Sequence, residues 1–193
     1  MSAVIFRLSE VEPRTRSRPE ACPYCESRLL QGWGWETKLI EDVQFDRVTV
    51  HRYRCEGCGR TFRHYPSGID HADQSLRIRE AAAILWGMGL NLKAVVTMLG
   101  MVGIRMSTSS IWRASQPIDR DLRKRLSSSF LPVIGGDPAW MINAFEPLGM
   151  VVILVLDTDR CIGVGITESS RSELNALAEM LGVEVSFHST FSP

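Results

Sequence analysis

Cys22-Pro23-Tyr24-Cys25 and Cys55-Glu56-Gly57-Cys58 are the two stretches that decide how the rest of the chain is read. Each places two thiols three positions apart, a spacing that lets both sulfurs reach one ion. Together they supply the four thiolates that a tetrahedral structural Zn2+ binds at about 2.3 Å. The segment between the pairs is long enough for two or three strands, and Pro23, Gly57 and Gly59 suit tight turns. These features predict a zinc ribbon over residues 21–66. Iron fits the same four-sulfur cage, so the identity of the ion stays open. Two disulfides or a redox Cys-x-x-Cys are the competing readings. Both are disfavoured, because no secretory leader is visible and neither pair opens a helix in a βαβ pattern. Four sulfurs fill the coordination sphere, so the expected metal folds the module and has no open position for chemistry.

The formal charges of the 193 residues balance, at 22 basic and 22 acidic side chains, but they are unevenly spread. Basic residues exceed acidic ones by 13 to 11 over residues 1–79 and by 7 to 3 over residues 80–130, and fall to 2 against 8 over residues 131–193. This asymmetry predicts a DNA-facing front and an acidic back. No apolar run approaches the roughly 20 residues of a membrane span, so a cytoplasmic protein without membrane contact is expected.

Residues 1–20 are expected to form a flexible arm, its later part rich in proline and carrying Arg14, Arg16 and Arg18. Within the ribbon, residues 29–35 and 43–54 read as strands, the second alternating Val48, Val50, Arg52 and Arg54 against Thr49, His51 and Tyr53. Arg52, Arg54, Arg60 and Arg63, set among Tyr53, Phe62 and Tyr65, are the ribbon's candidate DNA contacts. Trp33 and Trp35 are read first as part of the small core that such a module needs. His51 and His64 are left out of the metal site, which four cysteines already complete.

Helical periodicity follows. Asp73 or Ser75 can cap a helix with Ile78, Ala82, Leu85 and Trp86 on one face, and Asn91 caps a second with Leu92, Val95, Val96 and Leu99. Ser107 opens a third, in which Ile111 faces inward while Thr108, Ser109, Trp112 and Arg113 face outward. A short helix, a glycine turn and a polar-fronted helix predict a DNA-binding helix-turn-helix over residues 70–116. Residues 117–131, charged and serine-rich, read as a short helix and linker. From residue 132 strands are expected at 133–142, 150–156 and 161–167, joined by hairpins, with Asp137 on the first. Ser170 and Glu173 then form a capping box opening a helix with Leu174, Leu177, Ala178 and Leu181 on its buried face, and a fourth strand covers residues 183–187.

From about residue 21 to residue 185 this succession resembles the N-terminal part of a bacterial insertion-sequence transposase of the DDE type. The likeness is strongest at Cys55-Glu56-Gly57-Cys58-Gly59-Arg60-Thr61-Phe62 and around Asp137. The resemblance implies a multi-module α+β protein: a β zinc ribbon, an all-α helix-turn-helix and an incomplete RNase H-like α/β sheet over residues 132–193. It assigns Asp137 as the first of three carboxylates that would hold two Mg2+ ions for strand cleavage and transfer. Where the second belongs the chain reads Phe187-His188-Ser189-Thr190, and the third has no counterpart. The resemblance therefore implies a truncated protein that binds double-stranded DNA at transposon end repeats without cutting it, with homodimerisation open. Two alternatives are an active Mg2+-dependent transposase completed by divergent residues or a second chain, and a zinc-ribbon transcriptional regulator.

Overall fold

The computed structural model describes residues 2–128, 150–157, 160–165 and 171–189. Asp137 and the strand expected around it lie outside these residues. In chain order the described elements are β1 (Ser2–Arg7), β2 (Leu30–Leu39), β3 (Arg47–Cys55), β4 (Thr61–His64), α1 (Leu76–Gly87), α2 (Leu92–Met101), α3 (Thr108–Ala114), α4 (Arg120–Ser128), β5 (Met150–Asp157), β6 (Arg160–Gly165), α5 (Arg171–Leu181) and β7 (Glu184–Ser189). The protein is α+β, with two sheets and five helices among the described residues. No described helix is long and apolar enough to cross a membrane.

The chain divides into two compact units, Glu10–Leu76 and a second made of Met1–Ser9 with Arg77–Pro193. The first unit holds an antiparallel sheet in the order β2-β3-β4. The alternation read in β3 shapes its core. Val48 and Val50 are buried with Ile40 and Ile69, packed by Val11, Phe45 and Tyr65, while Tyr53 and Cys55 join Cys22 and Leu30 in a second cluster with Phe62. Both clusters are small, about what a cross-linked module of this size can bury without other support.

In the second unit the sheet runs β6-β5-β1-β7. β5 and β6 form the expected antiparallel hairpin, and β7 follows α5 as expected. The first residues depart from expectation. Ser2–Arg7 is an interior strand, parallel to β5 and antiparallel to β7, so residues 1–20 are not a flexible arm throughout. The apolar run Ala3 to Phe6 is short, but its ladder is complete on both sides, Phe6 is fully buried, and Arg7 stands opposite Glu184, a favourable cross-strand charge pair. The later part of the arm is also held: Thr49 N–H donates to the Pro13 carbonyl at 2.8 Å, and Thr15 is buried. β5 is flanked by β6 and by β1, its partner from the opposite end of the sequence. The strand expected over residues 133–142 lies outside the described residues.

The helices follow their sequence signals. In α1, Ile78, Ala82 and Leu85 are buried, and Asn91 and Ser107 cap α2 and α3 by accepting from the Ala94 and Ser110 N–H groups at 3.0 and 3.1 Å. Ser75, by contrast, directs its hydroxyl to Asp42 Oδ2 at 2.5 Å. The boundaries expected at residues 116 and 131 are not those of the structure. Residues 120–128 form α4, whose Leu122 and Leu126 are buried. Arg123 on α4 donates to the carbonyls of Trp86 and Leu90 at 3.2 and 3.3 Å, satisfying acceptors at the C-terminal end of α1. A Cβ added at Gly87 would lie 2.8 Å from a terminal methyl of Leu177, so α1 and α5 come close there and a larger residue would push the Leu177 side chain aside. The helices and the second sheet thus share one unit rather than forming separate modules.

Candidate metal centre and arginine surfaces

All four predicted ligands converge. The sulfurs of Cys22, Cys25, Cys55 and Cys58 lie within 4.8 Å of one another, with Cys22 to Cys58 at 3.8 Å and Cys25 to Cys55 at 3.5 Å. A tetrahedral ion with sulfur bonds of about 2.3 Å requires sulfurs about 3.8 Å apart, so the cluster has the right size to hold a metal ion. A disulfide would need sulfurs at about 2.05 Å, and all four cysteines are free thiols. The side chain of Cys161 lies outside those described.

The two Cys-x-x-Cys turns share one backbone pattern. Cys22 N–H donates to the Ser27 carbonyl and Cys55 N–H to the Arg60 carbonyl, each across five residues at 2.9 Å. Glu26 N–H returns to the Cys22 carbonyl and Gly59 N–H to the Cys55 carbonyl, again at 2.9 Å. In both turns the residue after the second cysteine takes a left-handed backbone, Glu26 at φ 59° and Gly59 at φ 70°. Glycine adopts this conformation freely, whereas Glu26 is the one non-glycine residue among those described that does so.

Charge within the metal-free cluster is unequally shared. The backbone N–H of Cys58, with help from Gly57 and the Cys25 thiol, holds Cys55 down to about 6. The Ser27 N–H favours a thiolate at Cys25, but hydrogen bonding to Cys55, desolvation and the other two thiols outweigh it and push Cys25 up to about 12. The Cys55 thiolate therefore forms readily, while Cys25 holds its proton until a cation arrives to balance the charge.

The predicted DNA-contacting arginines of this unit are brought to one side of its sheet. Arg52 and Arg54 alternate on β3, and their register partners on β4 are Arg63 and Thr61, which places all four on one face. Arg63 is taken up by Glu36 in a two-pronged pair at 2.6 and 3.0 Å. Arg54 lies over the Trp33 ring at 5.1 Å, and Arg60 over Tyr24 at 5.1 Å. Trp33 and Trp35 are not core residues: they are 44% and 48% exposed, because β2 carries a bulge between Gly32 and Trp35 that turns them outward. Trp35 stacks on His51 at 3.9 Å and is covered by Arg14 at 4.3 Å. Burial first, then the charges of His64, Arg14 and Arg18, keep His51 neutral. His51 and His64 take no part in the cysteine cluster.

In the other unit α3 presents its side chains as its pattern predicts. Ile111 is fully buried, while Thr108, Ser109, Trp112 and Arg113 are exposed. Arg113 lies along the helix, donating to the Ser109 carbonyl and Ser110 Oγ at 3.3 Å, and Trp112 meets Trp86 edge-on at 5.9 Å. The unit boundaries also relocate the positive charge. Glu10–Leu76 has ten basic side chains against eleven acidic, whereas residues 77–128 have nine against three, so the excess read over the first 79 residues belongs to the helices. No sequence signal for a unit boundary at residue 76 was available to reveal this. The chain matches no family model, no curated protein and no solved structure.

Proposed function

We propose that the protein binds double-stranded DNA sequence-specifically through a helix-turn-helix formed by α2 and α3, next to a zinc ribbon whose Zn2+ is held by Cys22, Cys25, Cys55 and Cys58. The observation that carries the reading is α3, a capped helix with Ile111 buried and Thr108, Ser109, Trp112 and Arg113 exposed, in a stretch where basic side chains outnumber acidic ones threefold. Hydroxyls and a guanidinium at the front of such a helix match the donors and acceptors of base edges in the major groove, and the surrounding cations match the phosphates. Zn2+ supplies a fixed cross-link and no reaction step.

In this reading the protein is related to the DNA-binding part of the DDE transposases, its duplex is a transposon end, and it binds without cutting. The last point is supported by the sequence, which reads Phe187-His188-Ser189-Thr190 where the resemblance would have the second carboxylate. The test is selection of bound duplexes from a random pool, followed by anisotropy titrations on the enriched site. A sequence preference, an affinity that falls with salt, and a loss of roughly five- to a hundredfold in Arg113→Ala are expected. An unenriched pool, or binding indifferent to Arg113, overturns the assignment.

A further inference from the structure

We infer that the arginine-bearing face of the β2-β3-β4 sheet is a stacking platform for single-stranded DNA, distinct in chemistry from the duplex-reading helix. The inference takes from the proposed function only that the ligand is DNA. It begins with a concentration of arginines on one face of the sheet. Arg52 and Arg63 are directly opposed across β3 and β4, and like charges in that position repel. Glu36 neutralises Arg63, while among the described residues none offers a carboxylate to Arg52, Arg54 or Arg60. Arg52 and the Arg63–Glu36 pair line a groove of about 700 Å3 together with Tyr24, Thr61 and Phe62.

Aromatic rings accompany the cations. Tyr24 is 53% exposed with Arg60 over it, and Trp33 is 44% exposed with Arg54 over it. Exposed rings paired with guanidinium planes are the surface on which unpaired bases stack, with the cations left to follow the phosphates. A duplex cannot use these rings, since its bases are stacked on one another and it presents mainly phosphate and groove edges. Phosphate attraction alone is too weak here, because Glu10–Leu76 carries ten basic against eleven acidic side chains, and four thiolates on a divalent cation add further negative charge. What remains is stacking, and it selects the unpaired strand.

The experiment titrates the full-length, zinc-loaded protein against a fluorescein-labelled dT10 oligonucleotide, a U10 oligonucleotide and a ten-base-pair duplex, at two salt concentrations. Binding of dT10 that falls with salt is expected, weakened about tenfold in Trp33→Ala and in Tyr24→Ala and largely restored in Trp33→Phe. Zinc content and circular dichroism equal to the parent protein show that the variants remain folded. Equal affinity of Trp33→Ala and parent for dT10 overturns the inference, as does tighter binding of U10, or a loss on the duplex as large as that on dT10. Duplex binding through Arg113 without any dT10 binding defeats this inference and spares the proposed function. Binding of dT10 through Trp33 without duplex binding does the reverse.

Discussion

The two units reach stability by different means. Glu10–Leu76 has two clusters of four buried apolar residues each and four sulfurs within 4.8 Å, and its largest aromatic side chains, Trp33 and Trp35, face outward. The other unit buries Ile78, Ile84, Leu85, Met88, Leu99, Ile111, Leu122 and Leu126 completely, with no help from the cysteines. Where four clustered thiols can be cross-linked by a metal ion, the sheet has less need to bury its aromatics, and Trp33 and Trp35 stand exposed. Where an apolar core holds the unit together, the surface is free to concentrate charge, and the nine-to-three basic excess of residues 77–128 lies there.

This contrast can be broken most forcefully at the cysteine cluster. Structural Zn2+ in small modules contributes roughly 10–16 kcal/mol to folding, so a chelator, or Cys55→Ser, is expected to unfold Glu10–Leu76 and leave α1 to α3 protected. Hydrogen exchange read by mass spectrometry checks it, and simultaneous loss of protection in both units would mean that they do not differ as argued. Acid should act in the same direction. The folded-state value of about 6 for Cys55 lies below the usual thiol range, so the thiolate that opens metal binding is lost as pH falls through about 6, and zinc affinity in a competition assay should drop there.

A core truncation tests the contrast from the other side. Leu85 is fully buried in α1, and Leu85→Ala should cost about 2–5 kcal/mol in denaturant unfolding of the helical unit while zinc uptake by the cysteines is unchanged. The smallest effect sharpens the comparison within the metal site itself. Glu26 occupies the left-handed position that Gly59 holds in the second turn, so Glu26→Gly should stabilise the ribbon by about 1 kcal/mol, seen as a raised denaturation midpoint with zinc bound.

What was legible in the sequence was local. Cys-x-x-Cys spacing fixes the metal turns because the ligands of each pair are neighbours, and Asn91 and Ser107 mark helix starts because a cap acts within three residues. Ile111 inward and Arg113 outward follows from helical periodicity alone. The missed features depend on distant partners or on a single irregularity. Nothing within Ser2–Arg7 announces that Ser2 will pair with Met150 and Ser189. The exposure of Trp33 and Trp35 turns on a bulge beside Gly32, where strict alternation fails. A short helix was legible where α4 lies, but the basic residues around Leu122 and Leu126 pointed to a solvated connection and hid that these leucines are buried.

The position of β1 also sets an order of events during synthesis. Its partners, Met150–Asp157 and Glu184–Ser189, leave the ribosome long after it has emerged. Glu10–Leu76 is contiguous and can bind its ion and fold while Ser2–Arg7 waits, an unpaired apolar segment on the nascent chain. Closing the four-stranded sheet is then a late step with a long loop to draw in, which makes this segment the natural client of a chaperone during translation.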